Sequence, residues 1–439
     1  MIYDPEIENR DPKEQRRLDE VQYRKQIQYL LDNSKFYQRK LTDAGFKDAE
    51  SVGGLDDMAL LPFTVKDEIR QTQADNPPFG DYLAAPRENI RKVFSTSGTT
   101  GTPCYIALTM DDLDVWATHT ARSYTAVGFR PGEPLAVILN AGPFAGGAAY
   151  YGFDKLGAMA LPIGMGNTER LVKAMQLFSG GNMISTPSYT LYLLNWCREH
   201  GVEPRSLKIK HMGVAGEPGG GDPALREEVE GQFDCTLREA MGTGDISTSI
   251  WGECEEGKGM HFAGQGLTHV ELIDPGTEQP IPWEDGAEGE AIYTSLVREA
   301  MPVLRIRSRD HLRVTMQPCG CGRISPRVRC IGRTDDMLIV RGVNLFPTAV
   351  RSVILTFRPE VGEVFLIRPV KNGVSQDPPL PIVIELGDGI SAVPAGLREK
   401  IEKELRSRLL VATKVEFVAG GALPRGEYKT AMVDYSNAN

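Results

Sequence analysis

Residues 95–103 read STSGTTGTP, and the strand-like run RKVFS, residues 91–95, leads into them. The nine residues hold four Thr, two Ser and two Gly, and none is charged. Glycine lets backbone N–H groups turn inward, and Ser and Thr add hydroxyl donors, so such a loop can wrap a polyphosphate. It lacks the Gly-Lys-Ser/Thr ending of a Walker loop. A plain polar loop has the same composition, so the rest of the chain has to decide.

The chain has 439 residues, too many for one ordinary core, and two or three domains are expected. A hydrophobic fraction of 41% and a charged fraction of 25% fit a globular protein. The net charge of −10 argues against a nucleic-acid or anionic-membrane partner, while leaving room for a local basic cleft. The start, MIYDPEIENRDPKEQRR, is charged from residue 4 onward and lacks the apolar core of a signal peptide. The longest uncharged run, 134–153, contains Asn, two Pro and four Gly, which suit a strand, a loop and a helix start better than a membrane span. The seven Cys, odd in number, point to a reduced cytoplasmic setting in which clustered thiols serve metal binding or chemistry rather than disulfides.

Apolar positions predict one helix over 12–45. Strand-like runs at 135–140, 158–164 and 182–186 then alternate with helical stretches at 168–178 and 188–200, with Asn167 or Thr168 as a helix start. This alternation predicts α/β layers with parallel-rich sheets. After residue 246 the pattern turns to short β-type runs (THVELID, EAIYTSL, VLRIRSRDHLRV), and the end of the chain reads as a small α+β unit. The division is placed at GRTDD, giving domains 1–332 and 333–439. Cys254-x6-His261 with Cys319-x-Cys321 is the ligand set of a closed structural zinc site, although the long gap between the pairs makes the spacing only moderately specific. Cys330 is a possible substitute ligand, and Cys104 reads as packing.

STSGTTGTP resembles the phosphate loop of acyl-adenylating enzymes, and the nearest likeness is to the phenylacetate–coenzyme A ligase group. The likeness runs along nearly the whole chain, through YDPEIENRDPKEQ, FYQRKLTDAGF, IGMGNTERLV, STPSYTLYL, AGEPGG, CGCGRISPRVRCIGRTDDMLIVRGVNLFPTAV and LPRGEYKTAMVD. It implies a large amino-terminal adenylating domain and a small mobile α+β domain. It also implies an ATP-dependent, AMP-forming ligase acting on a carboxylic acid, Mg²⁺ and coenzyme A, with an aryl or arylacetic acid as substrate. In this group Thr96, Ser97, Gly98, Thr99, Thr100 and Gly101 would cradle the β- and γ-phosphates. Gly216, Glu217, Pro218 and Glu239 would lie on the adenine side, with Met241, Gly242 and Thr243 beside the nucleotide. Asp245 would hold Mg²⁺, Asp310 the ribose hydroxyls, and Arg333 a second nucleotide contact. Lys429 would enter as the catalytic cation, with Asp335 as hinge, and Ala141, Phe144, Ala215 and Gly242 would line the acyl pocket. The Cys-His-Cys-Cys set occurs in the same group, as structural Zn²⁺.

Four departures stand out. Asp245 replaces a Glu, which allows magnesium to bind through water. Met241 replaces an aromatic residue, and Tyr428 and Met432 flank Lys429 where Gly and Arg are usual. Ala141 and Gly142 stand where bulk is expected. These leave other readings open: a small aliphatic or hydroxy acid, a non-CoA acceptor, a nucleotide-binding regulator without catalysis, or a zinc hydrolase, against which the closed ligand set argues. The sequence does not set the assembly, a homodimer being one expectation.

Overall fold

Parallel strand pairing organises the first half of the chain. The computed structural model describes residues 1–96, 104–139, 145–341, 343–425, 431–436 and 438. Their contacts divide into two units. The first comprises Met1–Gly216, Val229–Ser308 and Arg313–Arg329; the second comprises Glu217–Glu228, Arg309–Leu312 and Cys330–Asn439. The main stretch of the second unit thus starts three residues before the expected start at 333, and the unit takes in two short segments that sequence reading leaves in the first.

After a one-turn helix at Pro5–Glu8, the first unit has helices α1 (Pro12–Asn33), α2 (Lys35–Asp43) and α3 (Lys66–Asp75), with another single turn at Ala49–Val52. The single helix expected over 12–45 is broken at Ser34, whose extended backbone (φ −105°, ψ 106°) places its hydroxyl to accept from Tyr37 N. That is an N-cap, and it restarts the helix in a new direction. A hairpin of β1 (Lys92–Ser95) and β2 (Tyr105–Leu108) follows, then α4 (Met110–Val127). A capping box starts α4: Thr109 Oγ1 accepts from Asp112 N and Asp112 Oδ2 accepts from Thr109 N, both at 3.1 Å. Gly128, at φ 119°, ends it.

Next come β3 (Pro134–Val137), α5 (Ala149–Leu156), β4 (Met159–Pro162), α6 (Thr168–Leu177), β5 (Gly181–Ser185), α7 (Pro187–Glu199), β6 (Ile209–Val214), α8 (Pro223–Phe233) and β7 (Thr236–Thr243). Asn167 is the capping residue of α6 but makes no side-chain cap bond. Strands β4, β3, β5, β6 and β7 pair in parallel, and the helices between them supply the crossovers that parallel strands require. The two ends of the uncharged run 134–153 lie in β3 and α5, and no helix among the described residues is long and apolar enough to cross a membrane. The sheet continues antiparallel through β8 (Ser247–Glu253) and β9 (Met260–Phe262). The remaining strands are β10 (Thr268–Ile273), β11 (Pro280–Ile281), β12 (Glu288–Ser295), β13 (Ile306–Thr315) and β14 (Arg327–Arg333). The full order is β11-β10-β12-β13-β14-β9-β8-β7-β6-β5-β3-β4.

In the second unit β15 (Leu338–Val340) and β16 (Val343–Leu345) precede α9 (Pro347–Leu355). Then come β17 (Val361–Ile367), β18 (Ser375–Gln376), β19 (Leu380–Leu386), α10 (Leu397–Leu409) and β20 (Thr413–Val418). The sheet β17-β19-β20 carries Phe365, Ile382 and Ile384 into a core shared with Ile354 of α9 and with Ile401 and Leu405 of α10. This is the small α+β domain; the first unit is the large mixed α/β one.

Asp112 does more than cap α4. Buried, it also accepts from Glu299 N at 2.8 Å and Ala300 N at 2.9 Å, joining the helix start to the 298–300 loop. Asp112→Ala removes a charged acceptor from three buried donors. It should cost about 3 kcal/mol or more, since hydrogen bonds to charged groups contribute about 1.5–3 kcal/mol each. The check is the urea midpoint of the larger unit's unfolding, and an unmoved midpoint would show that these bonds contribute nothing.

Candidate active site

All strands of a parallel set end on the same edge, and ligands of open α/β sheets bind outside the carboxyl ends. Here β6 ends at Val214 and β7 at Thr243. Ala215, Gly216 and the turn 243–245 therefore leave the sheet on one edge. Ala215 N donates to Ser185 O at 3.0 Å, which keeps it against the end of β5, and its side chain is buried. Gly216 has φ 90°, a conformation glycine adopts without strain. Gly242 is demanded by space: a Cβ there would lie 2.4 Å from Ser247 O and Thr248 O, so only glycine lets β7 and β8 approach. On the same strand Met241 faces Trp251 across β8, and Glu239 N donates to Glu253 Oε2 at 3.2 Å.

The base of the hydroxyl-and-glycine loop is tied shut. Thr96 N donates to Cys104 O at 2.9 Å, and Cys104 N donates to Thr96 Oγ1 at 3.3 Å. Ser97, Gly98, Thr99, Thr100 and Gly101 lie outside the described residues, as do Ala141, Phe144 and Lys429. The turn before β8 packs against that base, for a Cβ on Gly244 would sit 3.5 Å from Thr96 Cγ2. Asp245 follows. Its side chain is 11% exposed, and its Oδ2 lies 2.9 Å from Lys66 Nζ at the start of α3. Its Oδ1 has no hydrogen-bond partner among the described residues, which leaves one oxygen for a divalent cation. Its backbone carbonyl accepts from Arg298 Nη1. Arg298 is buried and stacks over Trp116 at 5.4 Å. Burial, and after it the Asp245 carboxylate, raise the Cys104 thiol above its ordinary range. Cys104 is therefore a protonated packing group rather than a nucleophile.

In the second unit one guanidinium joins two expected residues. Arg333 Nη1 donates to Asp310 Oδ1 at 3.3 Å, while Nε and Nη2 form a bidentate pair with Asp335 at 2.9 and 2.7 Å. Asp310 lies inside β13, directly after Arg309 at φ 67°. That turn of the backbone within a long strand is invisible in an alternation pattern. Pro218 O accepts from Arg351 Nη1, and Glu217 precedes it in the same segment. The chain on both sides of 426–430 is anchored. Arg425 pairs with Glu385 at 2.7 Å, and residues 432–434 bond to Ile367 through Ile367 N to Met432 O at 2.8 Å and Asp434 N to Ile367 O at 2.9 Å.

Strands β8, β9 and β14 gather the four metal-type ligands. The ligand atoms of Cys254, His261, Cys319 and Cys321 all lie within 4.8 Å of one another. Cys254 Sγ and Cys319 Sγ are 3.6 Å apart, and Cys321 Sγ is 3.3 Å from His261 Nε2. A tetrahedral zinc with bonds of about 2.3 Å to sulfur needs edges of about 3.8 Å, so the set closes on such an ion with small adjustment. His261 Nδ1 lies 3.3 Å from Ser325 O, the bond that turns Nε2 toward the thiols. The Cys254 thiol and His261 stabilise Cys321 as thiolate. Cys330 stands outside the cluster, with its thiol donating to Gly332 O.

Sequence reading missed Lys66, Arg298 and Arg351. Each is a lone basic residue far along the chain from its partner, and isolated Lys or Arg is ordinarily a solvated charge. Only Arg298 carried a retrievable signal, in the largely apolar stretch SLVREAMPVL.

The family described as AMP-binding enzyme C-terminal domain matches residues 342–435. The phenylacetate–coenzyme A ligase of Thermus thermophilus is 34% identical over 445 residues, covering 97% of each chain. Those of Aromatoleum evansii and Pseudomonas putida are 33% and 32% identical, over 91% and 93% of this chain and 89% and 91% of their own. Among solved structures, a 2-hydroxyisobutyryl-CoA ligase in the postadenylation state with 2-HIB-AMP matches with a TM-score of 0.89 and 27% identity, over 98% of this chain and 91% of that one. The same enzyme in the thioesterification state, with 2-HIB-AMP and CoA, matches with a TM-score of 0.72 and 28% identity, over 98% and 91%. Whole-length identity to curated ligases, carried on a sheet edge that presents a tied loop base and a carboxylate, has one meaning: the chain belongs to the phenylacetate–coenzyme A ligase group of acyl-adenylating enzymes and is an ATP-dependent, AMP-forming acid–CoA ligase.

Proposed function

We propose that the acid is an aryl or arylacetic acid. The supporting observation is the 34% identity, over 97% of both chains, to a phenylacetate–coenzyme A ligase. In this reading Thr96 through Gly101 hold the β- and γ-phosphates of ATP, and Asp245 holds Mg²⁺ through its Oδ1. Gly216, Glu217, Pro218, Glu239, Met241, Gly242 and Thr243 frame the nucleotide base, and Asp310 takes the ribose hydroxyls with Arg333 beside it. The domains are 1–332 and 333–439. Asp335 is the hinge on which the smaller one turns before coenzyme A attacks the acyl carbon. Ala141, Phe144, Ala215 and Gly242 line the acyl pocket. The four-ligand cluster holds a structural Zn²⁺, and the compartment is the cytoplasm.

A second reading has its own support. The solved ligase that covers 98% of this chain carries a 2-hydroxyisobutyryl adenylate, and small residues stand at 141 and 142. A small hydroxy acid is the substrate in that case. Pyrophosphate release from ATP and Mg²⁺, measured across aryl, arylacetic and hydroxy acids with and without coenzyme A, separates the two. Release and a matching thioester with arylacetic acids support the first reading, and release with hydroxy acids alone transfers the assignment to the second.

Lys429→Ala should lower adenylation by about 10²–10³, the usual loss when one transition-state donor is removed. Thioester formation from a supplied acyl-adenylate should survive, because Lys429 acts on the α-phosphate. Equal survival of both half-reactions would remove Lys429 from the mechanism. Metal analysis should find one zinc per chain. Cys321→Ala should release it and lower the thermal midpoint without changing the KM for ATP. A folded wild-type protein free of zinc would end the structural-zinc assignment.

A further inference from the structure

The loop at 95–103 contains no lysine. A polyphosphate carries several negative charges, and hydrogen bonds from charged donors are roughly twice as strong as neutral ones. The fold supplies a cation from another element. Lys66 begins α3, and its Nζ is 2.9 Å from Asp245 Oδ2. Gln73 of the same helix clasps the strand that leaves the loop: its Nε2 donates to Tyr105 O at 2.8 Å, and its Oε1 accepts from Tyr105 N at 3.0 Å. Cys104, at the loop base, lies within electrostatic reach of both Lys66 and Asp245. Lys66, Asp245 and the loop base thus share one corner of the first unit.

An ion pair with a side chain 32% exposed adds little to stability. Its placement has a second consequence. A divalent cation on Asp245 would repel the ammonium beside it and weaken its hold on the shared carboxylate. The displaced ammonium then needs another anion, and the polyphosphate is the anion that arrives with magnesium.

We propose that Lys66 is a pyrophosphate-binding residue of the adenylation half-reaction, exchanging Asp245 for the β- and γ-phosphate oxygens of ATP when the nucleotide binds with magnesium. The proposal rests on Asp245 as the magnesium carboxylate. In the step itself an oxygen of the substrate carboxylate bonds to the α-phosphorus. The bond from that phosphorus to the α,β-bridging oxygen breaks, and its electron pair stays on the departing pyrophosphate. Lys66 keeps its protons throughout, and its charge offsets the one building on that oxygen. AMP and the acyl-adenylate lack the two outer phosphates and gain nothing from it.

The test compares the full-length wild type with Lys66→Met and Lys66→Gln by titration calorimetry with ATP, inorganic pyrophosphate and AMP, each with and without Mg²⁺. Both variants should bind ATP and pyrophosphate about ten- to a hundredfold more weakly, the loss expected for one hydrogen bond to a charged group. AMP should bind within about twofold of wild type, which also certifies the fold, and thioester formation from a supplied adenylate should be unchanged. Unchanged ATP and pyrophosphate binding would overturn the proposal, as would an equal loss of AMP binding. Asp245→Asn tests the underlying assignment separately. If Mg²⁺ dependence of ATP binding survives in it, the metal carboxylate has been misplaced, whatever Lys66 does.

Discussion

A guanidinium cannot be buried without partners, because desolvation costs several kcal/mol that only well-placed acceptors return. Arg298 is buried; its guanidinium is held by the Asp245 carbonyl and the Trp116 ring while its Nε has no hydrogen-bond partner among the described residues, and the first unit fixes the loop it stands on. Arg298 N donates to Gln26 Oε1 at 2.9 Å, and Gln26 Nε2 returns a bond to Arg298 O at 2.8 Å, which brings in α1. Asp112 takes the next two N–H groups and brings in α4. Ala84 N donates to Ala300 O at 2.8 Å. What emerges from this clamp is one guanidinium, aimed at the Asp245 carbonyl. The position of the carboxylate is therefore set by the amino-terminal helices as much as by the strands on either side of it.

The sheet explains why the site collects where it does. Parallel strands β3, β5, β6 and β7 release their following segments on one edge, and the turn from β7 to β8 is the point where the sheet changes to antiparallel. A strand reversal of this kind needs close backbones, and Gly242 provides them. Asp245 thus sits on a short turn braced by two paired strands, a more rigid support than a long loop. The segments that carry Thr99 and Lys429 are treated differently: each is anchored on both sides, by Thr96 with Cys104 and by Arg425 with residues 432–434.

Much of this was legible in the chain itself. Period-2 and period-3.6 patterns mark the strands and helices of the parallel half, because each buries one face and shows it. The Cys-His cluster was legible in kind, since three thiols and an imidazole form the ligand set of a closed metal site. What the pattern could not show is direction. Ser34 looks like one more polar residue within a long helix, yet its extended backbone divides α1 from α2. Arg309 looks like an ordinary strand residue, yet its positive φ redirects Asp310. Lys66 and Arg298 matter through partners 179 and 53 residues away, and no local rule reaches that far.

An acidic protein that handles ATP has to separate net charge from local field. At −10 the whole chain repels polyanions weakly, and at physiological salt that repulsion is screened beyond about 8 Å. What any bound anion meets is the charge within that distance. Around Asp245 the structure places the ammonium of Lys66 and the guanidinium of Arg298, two cations to one carboxylate. Arg70 adds a third cation within electrostatic reach of Cys104, its own charge shared with exposed Asp67. In the other unit Arg333 stands between the carboxylates of Asp310 and Asp335, so that corner carries more negative than positive charge. The same overall charge thus yields one corner rich in cations and one rich in carboxylates. The division follows from which basic residues were buried with a single carboxylate and which with two.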